Sequence, residues 1–178
     1  MNYKKNFIIK ETYNYLQFKE LFTSSGLEFN LDETGEKPEG LILAYDDISK
    51  KGLTIDVDCD DDLIIQSSQE SLKHILMNLI QNAIEAVEEK TDIIIIRAYE
   101  DKDNIIIECQ DNGCGIAKDN LEYLFNPFFT TKPPGEGTGL GLYVVYSEIK
   151  YLGGHIDVNS TLGKGTTFFM KLKNQKDA

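Results

Sequence analysis

The chain has 178 residues, 41% hydrophobic and 27% charged, with a formal net charge of -12. That length and apolar content supply one globular domain with a substantial core, plus an additional segment. The negative charge disfavours nucleic acid and anionic membrane as partners, so an anionic ligand would need backbone amides, a lysine or a metal to hold it.

No signal-peptide core follows Met1 to Lys5, and no apolar run approaches the roughly 20 residues that span a bilayer. The three cysteines, Cys59, Cys109 and Cys114, are odd in number and lack CxxC spacing. A reduced, cytoplasmic setting is expected, with no direct membrane contact by this chain and any membrane sensor outside it.

Residues 1–52 form an N-terminal segment to which the sequence assigns no chemistry. Phe7 to Phe22 fits either helix or strand, Gly35 to Gly40 is a turn or linker by composition, and Leu41 to Lys50 suits a short helix before Gly52. This segment is expected to pack on the main domain, 53–174, or to contact a partner.

Leu53 to Val57 alternates in strand fashion and leads into Asp56, Asp58, Asp60, Asp61 and Asp62. A calcium loop fits the first three aspartates. It fails at Asp61, where the sharp turn needs glycine, and at Ser67, where the bidentate glutamate belongs. A solvated acidic loop is the expectation. Leu63 to Gln66 reads as a further short strand, and Ser67 or Ser68 as a helix cap.

Leu72 to Glu89 reads as a long amphipathic helix. Leu72, Ile75, Leu76, Leu79, Ile80, Ala83 and Val87 recur at the spacing of a buried face. His74, Asn78, Asn82, Glu85 and Glu89 form a polar stripe. For most of these a solvated face is an adequate account. Two asparagines one turn apart are not, because asparagine is a mediocre helix former. Their amides suit oxygen ligation of a hard cation.

Asp92 to Tyr99 and Asn104 to Gln110 are β-rich runs joined as a hairpin. The second runs into Asp111-Asn112-Gly113-Cys114-Gly115-Ile116. Its glycines permit a sharp turn and a close ligand approach, and Asp111 can accept from an amino group; an ordinary turn is the plainer reading.

Residues 117–136 have weak periodicity and carry Phe125, Pro127, Phe128, Phe129, Thr130, Thr131 and Lys132. A long loop of this kind in a compact domain suggests a lid: an apolar clamp with hydroxyls and a cation at its tip. The alternative is a surface excursion pinned by aromatics. Gly137-Thr138-Gly139-Leu140-Gly141-Leu142 then opens a helix to about Leu152, and such a helix N-terminus attracts polyphosphate. It is neither a Walker loop nor a dinucleotide fingerprint. His155 to Ser160 and Thr166 to Leu172 read as a closing hairpin around Gly163-Lys164-Gly165.

In this order the motifs resemble the ATP-binding catalytic domain of bacterial sensor histidine kinases, within the wider gyrase-type (Bergerat) superfamily. Asn78 to Ala83 matches the N box, Asp111 to Ile116 the first glycine box, Phe125 to Lys132 the F box, and Gly137 to Leu142 the second glycine box. The closing Gly163 to Phe168 fits as well, and the likeness covers about two-thirds of the chain.

The resemblance implies an α+β fold: a two-layer α/β sandwich with a mixed, largely antiparallel sheet packed on helices. It implies ATP and Mg²⁺ as ligands. By carry-over Asp111 accepts from the adenine amino group, Thr166 supports it through water, and Gly113, Gly115 and Ile116 line the base. Asn82 ligates the metal and Asn78 sits near it. Gly137, Thr138 and the amides of Gly139, Leu140, Gly141 and Leu142 hold the phosphates. Phe128, Thr131 and Lys132 belong to the lid, with Lys132 reaching toward the γ-phosphate.

Hydrolysing members carry a glutamate one turn before the metal asparagine, where this chain has Asn78, which cannot act as a general base. His74 is a weaker candidate base. The implied activity is therefore transfer of the γ-phosphate to a histidine outside this chain. Neither His74 nor His155 resembles an acceptor. The implied partners are a phospho-accepting histidine domain and a downstream response regulator. A gyrase-type conformational ATPase and a non-catalytic nucleotide-binding regulator are the rival readings. The implied location is cytoplasmic, or the cytosolic portion of a larger membrane-bound kinase.

Overall fold

Ser68 starts the central helix. Its side chain accepts from the Ser71 N–H, and α1 then runs Gln69–Ala86. Leu72, Ile75, Leu76, Leu79, Ile80, Ala83 and Val87 are all buried, as their spacing requires, and Ile84 joins them. Each such Leu or Ile contributes about 1.5–3 kcal/mol through apolar burial. Val87, expected inside the helix, is instead its C-cap in extended conformation, with its N–H on the Ala83 carbonyl. Its burial outside the helix explains why the apolar pattern overran the helix end.

The computed structural model describes residues 12–13, 54–59, 63, 65–66, 68–87 and 93–174. Apart from Thr12–Tyr13, the expectations for the N-terminal 50 residues lie outside the described residues, as do Asp60, Asp61, Asp62 and Glu89.

Thr12–Tyr13 (β1) pairs antiparallel with Ile65–Gln66 (β3) in a two-stranded sheet. The main sheet has five strands: Thr54–Cys59 (β2), Ile93–Asp101 (β4), Asn104–Asp111 (β5), His155–Thr161 (β6) and Gly165–Lys173 (β7). Their order is β2-β4-β5-β7-β6. The β2–β4 pair is parallel and the other three are antiparallel. The expected mixed, largely antiparallel sheet is thus present. Gly141–Tyr151 forms α2, and Lys118–Tyr123 a 3₁₀ helix.

One face of the sheet is apolar. Ile94, Ile96, Ala98, Ile105, Ile107, Cys109, Ile156, Phe168, Met170 and Leu172 are buried in one cluster with the inner faces of α1 and of α2, the latter through Val145 and Ile149. Strand alternation sends Arg97, Tyr99, Glu108 and Gln110 to the opposite face. There Arg97 donates to Gln110 Oε1 at 3.1 Å, and Tyr99 donates to Glu108 Oε1 at 2.7 Å. Asp58 also stands on this face, 3.7 Å from the Arg97 guanidinium. Asp56 lies in the strand expected over Leu53 to Val57, and that strand runs on through Asp58, where a solvated loop was expected: the alternation of Ile55 and Val57 with Asp56 and Asp58 continues the pairing with β4.

Candidate functional site

β5 ends at Asp111, β6 ends at Thr161 and β7 begins at Gly165, so three strand ends meet at one edge of the domain. Asp111 stands opposite Thr166 in the β5–β7 ladder, and Thr166 stands opposite Ser160 in the β6–β7 ladder. Asp111 is 6% exposed and Thr166 4%. A carboxylate and a hydroxyl buried together beside an apolar core are costly unless hydrogen-bonded. Asp111 Oδ1 accepts the Gly113 N–H at 2.9 Å, which turns the chain immediately after the strand.

The glycine loop is packed backbone to backbone. Cys114 donates its N–H to the Ala86 carbonyl at 2.9 Å and accepts from the Gly163 N–H at 2.7 Å. A Cβ on Gly113 would run into the Ala86 carbonyl, and one on Gly115 into that of Thr161. Gly115 has φ +65, which only glycine adopts freely. The loop is thus wedged between the end of α1 and the β6–β7 turn. Asn112 holds it from the third side, with Oδ1 accepting the Ile93 N–H at 2.9 Å. Ile116 packs against the core and donates its N–H to Ser160 Oγ at 2.8 Å.

α1 supplies the two asparagines. Asn78 Nδ2 donates to the His74 carbonyl at 2.8 Å, a bond a glutamate could not make. Its Oδ1 lies against the first residue of α2: a Cβ on Gly141 would come within 2.9 Å of it. Among the described residues, Asn82 Nδ2 is buried without a hydrogen-bond partner. Buried amides are normally satisfied, so this one fits a residue that meets a group the protein itself does not supply. A side-chain amide is also a hard oxygen donor suited to Mg²⁺. His74 Nδ1 lies 3.8 Å from Glu148 of α2, facing the neighbouring helix.

The N-terminus of α2 has no side-chain cap and no acidic residue in its first turn. Its first free N–H groups, those of Gly141, Leu142 and Tyr143, have no partner within the helix. Thr138 Oγ1 accepts the Leu140 N–H at 3.3 Å, shaping the approach. Gly139, with φ +65, backs onto the backbone of Phe128, and Gly137 approaches Thr130 Oγ1.

The segment 117–136 is less formless than its weak periodicity suggests, since the 3₁₀ helix occupies its first part. Phe125 stacks on Tyr146 of α2 with ring centroids 5.5 Å apart, and Phe129 meets Tyr123 at 5.9 Å. The aromatics thus pin the segment at its base. Phe128 is 74% exposed with φ +66, so its ring points away from any apolar clamp. Thr131 is exposed. The Lys132 ammonium is engaged by the Glu85 carboxylate of α1, and Glu85 also accepts from Gln81.

Segments far apart in sequence therefore meet: α1 with the first glycine loop at Ala86, with α2 at Gly141 and with the 117–136 segment at Glu85. The sequence pointed to these boxes, and Glu85 and Asn112 lay within the stripe and loop it marked, but what Ser160, Glu85 and Asn112 bind appears only through tertiary contacts. Asn112 alone carried a local signal, as an asparagine before a glycine turn.

The sequence model described as "Histidine kinase-, DNA gyrase B-, and HSP90-like ATPase" matches residues 67–176. The chain belongs to this family of ATPases. It is similar to Sporulation kinase B of Bacillus subtilis (strain 168), 33% identical over 89% of this chain and 36% of that protein. It is also similar to the sensor histidine kinase ZraS of Escherichia coli (strain K12), 44% identical over 61% of this chain and 23% of that protein. The chain thus spans little more than a third of the length of these curated relatives, or less. A solved catalytic domain of the histidine kinase ThkA, in a nucleotide-free form, superposes with a TM-score of 0.66 at 30% identity, covering 76% of this chain and 88% of that domain. Among the described residues, no helix is long and apolar enough to cross a membrane.

Proposed function

We propose that the chain is the catalytic domain of a sensor histidine kinase, binding Mg-ATP and passing its γ-phosphate to a histidine in a separate phospho-accepting domain. A response regulator then takes the phosphate onward. The observation that carries this reading is the meeting of the family's boxes at one edge of the sheet, with the partnerless amide of Asn82 among them.

The Asp111 carboxylate receives the adenine amino group, with Thr166 beside it bonding through water. The tight loop at Gly113 and Gly115 lets the base lie against backbone. The amides from Gly139 to Leu142 face the phosphates, helped by the helix dipole and by the absence of acid in the first turn of α2. Bound Mg²⁺ would neutralise phosphate charge, and Asn82 is the side chain that would hold it, with Asn78 adjacent. Lys132, once released by Glu85, is long enough to serve the γ-phosphate as a point charge.

Asn78 decides between transfer and hydrolysis. Its amide is committed to the His74 carbonyl and has no basicity with which to activate water. The attack on the γ-phosphorus must then come from the acceptor's own nucleophile, with ADP as the leaving group, and an imidazole on a partner domain is such a nucleophile.

The experiment is a calorimetric titration with ATP, with and without Mg²⁺, followed by incubation with an isolated histidine-bearing domain of a sensor kinase. Magnesium-dependent binding in the micromolar range, on the order of -8 kcal/mol, is expected, with labelled phosphate appearing on the acceptor histidine. Asp111→Asn should weaken ATP binding. Absence of ATP binding by the folded chain would defeat the proposal, and steady phosphate release without an acceptor would favour a hydrolase.

A further inference from the structure

We propose that Ser160 is a positioning residue for base selection: it orients the Thr166 hydroxyl so that the subsite beside Asp111 presents acceptors only and rejects a 6-oxopurine. This rests on the reading of Asp111 and Thr166 as the base-recognising pair. Ser160, the last residue but one of β6, lies outside every motif that identified the site, yet its hydroxyl touches three parts of it. Oγ accepts the Ile116 N–H at 2.8 Å, lies 3.0 Å from the Gly165 carbonyl oxygen, and lies 3.0 Å from Thr166 Oγ1.

The capacity of a hydroxyl is small: one proton and two lone pairs. The Ile116 amide occupies one lone pair. Gly165 O can only accept, so the Ser160 proton goes to it. The remaining lone pair receives the Thr166 proton. Every capacity of Ser160 is then filled, and the Thr166 oxygen has only lone pairs left to offer. Asp111, opposite Thr166 in the ladder, is also an acceptor when ionised. Two acceptors without a donor suit the 6-amino group of adenine, directly or through a water that donates to both. The 6-oxo group of hypoxanthine or guanine would bring a third acceptor to a buried place, and leaving such groups unpaired is where selectivity against an analogue arises.

Without the Ser160 hydroxyl, the Thr166 proton loses the acceptor that fixed its direction, and the hydroxyl can rotate to donate to a 6-oxo oxygen. The test compares Mg-ATP and Mg-ITP affinities of the full chain, by calorimetry, for the parent, Ser160→Ala, Ser160→Thr and Asp111→Asn, with thermal melts confirming the fold. The parent should prefer ATP. Ser160→Ala should narrow that preference by about fivefold to tenfold, the effect of one hydrogen bond of ordinary strength. Ser160→Thr, which keeps the hydroxyl, should restore it. If Ser160→Ala does not fold, Ser160→Cys provides the same reading, because sulfur is a weak donor and acceptor. A folded Ala or Cys variant with the parent's ATP-to-ITP ratio overturns the role of Ser160. In that case the Asp111 reading still stands if Asp111→Asn weakens ATP binding. A parent that does not prefer ATP, or an Asp111→Asn variant that binds it unchanged, overturns both.

Discussion

The ammonium of Lys132 on the lid is held by the carboxylate of Glu85, which stands on α1 one helical turn beyond Asn82. Lys132 is therefore held against the same helix that carries Asn78 and Asn82. Both side chains are about one-third exposed, where such pairs contribute about 0–1 kcal/mol. Glu85→Gln should leave the melting temperature nearly unchanged while freeing the lid. Limited proteolysis within 117–136 should then be faster in the absence of nucleotide, and high salt should speed cleavage of the parent in the same way. Equal cleavage of parent and variant would show that the pair does not restrain the lid.

Asn82 separates stability from binding. Its buried Nδ2 lacks a hydrogen-bond partner among the described residues, so its removal breaks no bond in the nucleotide-free protein. Unpaired buried polar groups cost about 1–3 kcal/mol, and Asn82→Ala should leave stability within about 1 kcal/mol of the parent or raise it, while magnesium-dependent ATP binding is lost. Paired melts and titrations check this; a large loss of stability would mean that the amide is structural.

Two glycines in the site should respond in opposite ways to alanine. Gly115 has φ +65 and faces the Thr161 carbonyl. A residue with a Cβ costs about 1–2 kcal/mol in that conformation before any collision, so Gly115→Ala should lower unfolding free energy by roughly 2 kcal/mol or more. A Cβ on Gly141 meets only the Asn78 side chain, at 2.9 Å, which can rotate. Alanine is also a better helix former than glycine by about 1 kcal/mol. Gly141→Ala should keep stability and weaken nucleotide binding by displacing Asn78. Denaturant titrations and calorimetry on both variants test the contrast.

Tyr99 lies on the sheet face opposite the helices. Its hydrogen bond to Glu108, then burial, push its phenol from 10.0 up to about 12. The folded state thus holds this proton more tightly than the unfolded chain. The associated stability is fully present below pH 10 and is lost as pH rises from 10 through about 12. Melting temperature should fall across that window, and less steeply in Tyr99→Phe. Equal slopes would remove Glu108 as the cause.

Thiol chemistry should follow burial. Cys109 is buried, and desolvation pushes its thiol well above the ordinary range, whereas Cys114 is exposed. Alkylation of the native chain, mapped by mass spectrometry, should reach Cys114 and spare Cys109 until the protein unfolds. Equal labelling of the two under native conditions would contradict this burial.

Local pattern was enough for α1, because seven apolar residues at helical spacing have one packing solution, and the alternating isoleucines of β4 and β5 likewise predicted strands with one buried face. The glycine boxes were legible because glycine is demanded wherever backbone approaches backbone, as at Gly113 and Gly115. The sequence by itself therefore determined most of the elements and the glycine-rich turns, while the mixed sheet was implied only by the family resemblance. What it could not show was who meets whom. Whether Asp58 sits in a loop or in a strand opposite Arg97 depends on β2 finding β4 across the intervening α1. Whether Lys132 is free or held by Glu85, and whether Ser160 touches Thr166, depends on closing loops of very different length. Such contacts are set by the global packing of helices on the sheet, which no local window of residues encodes.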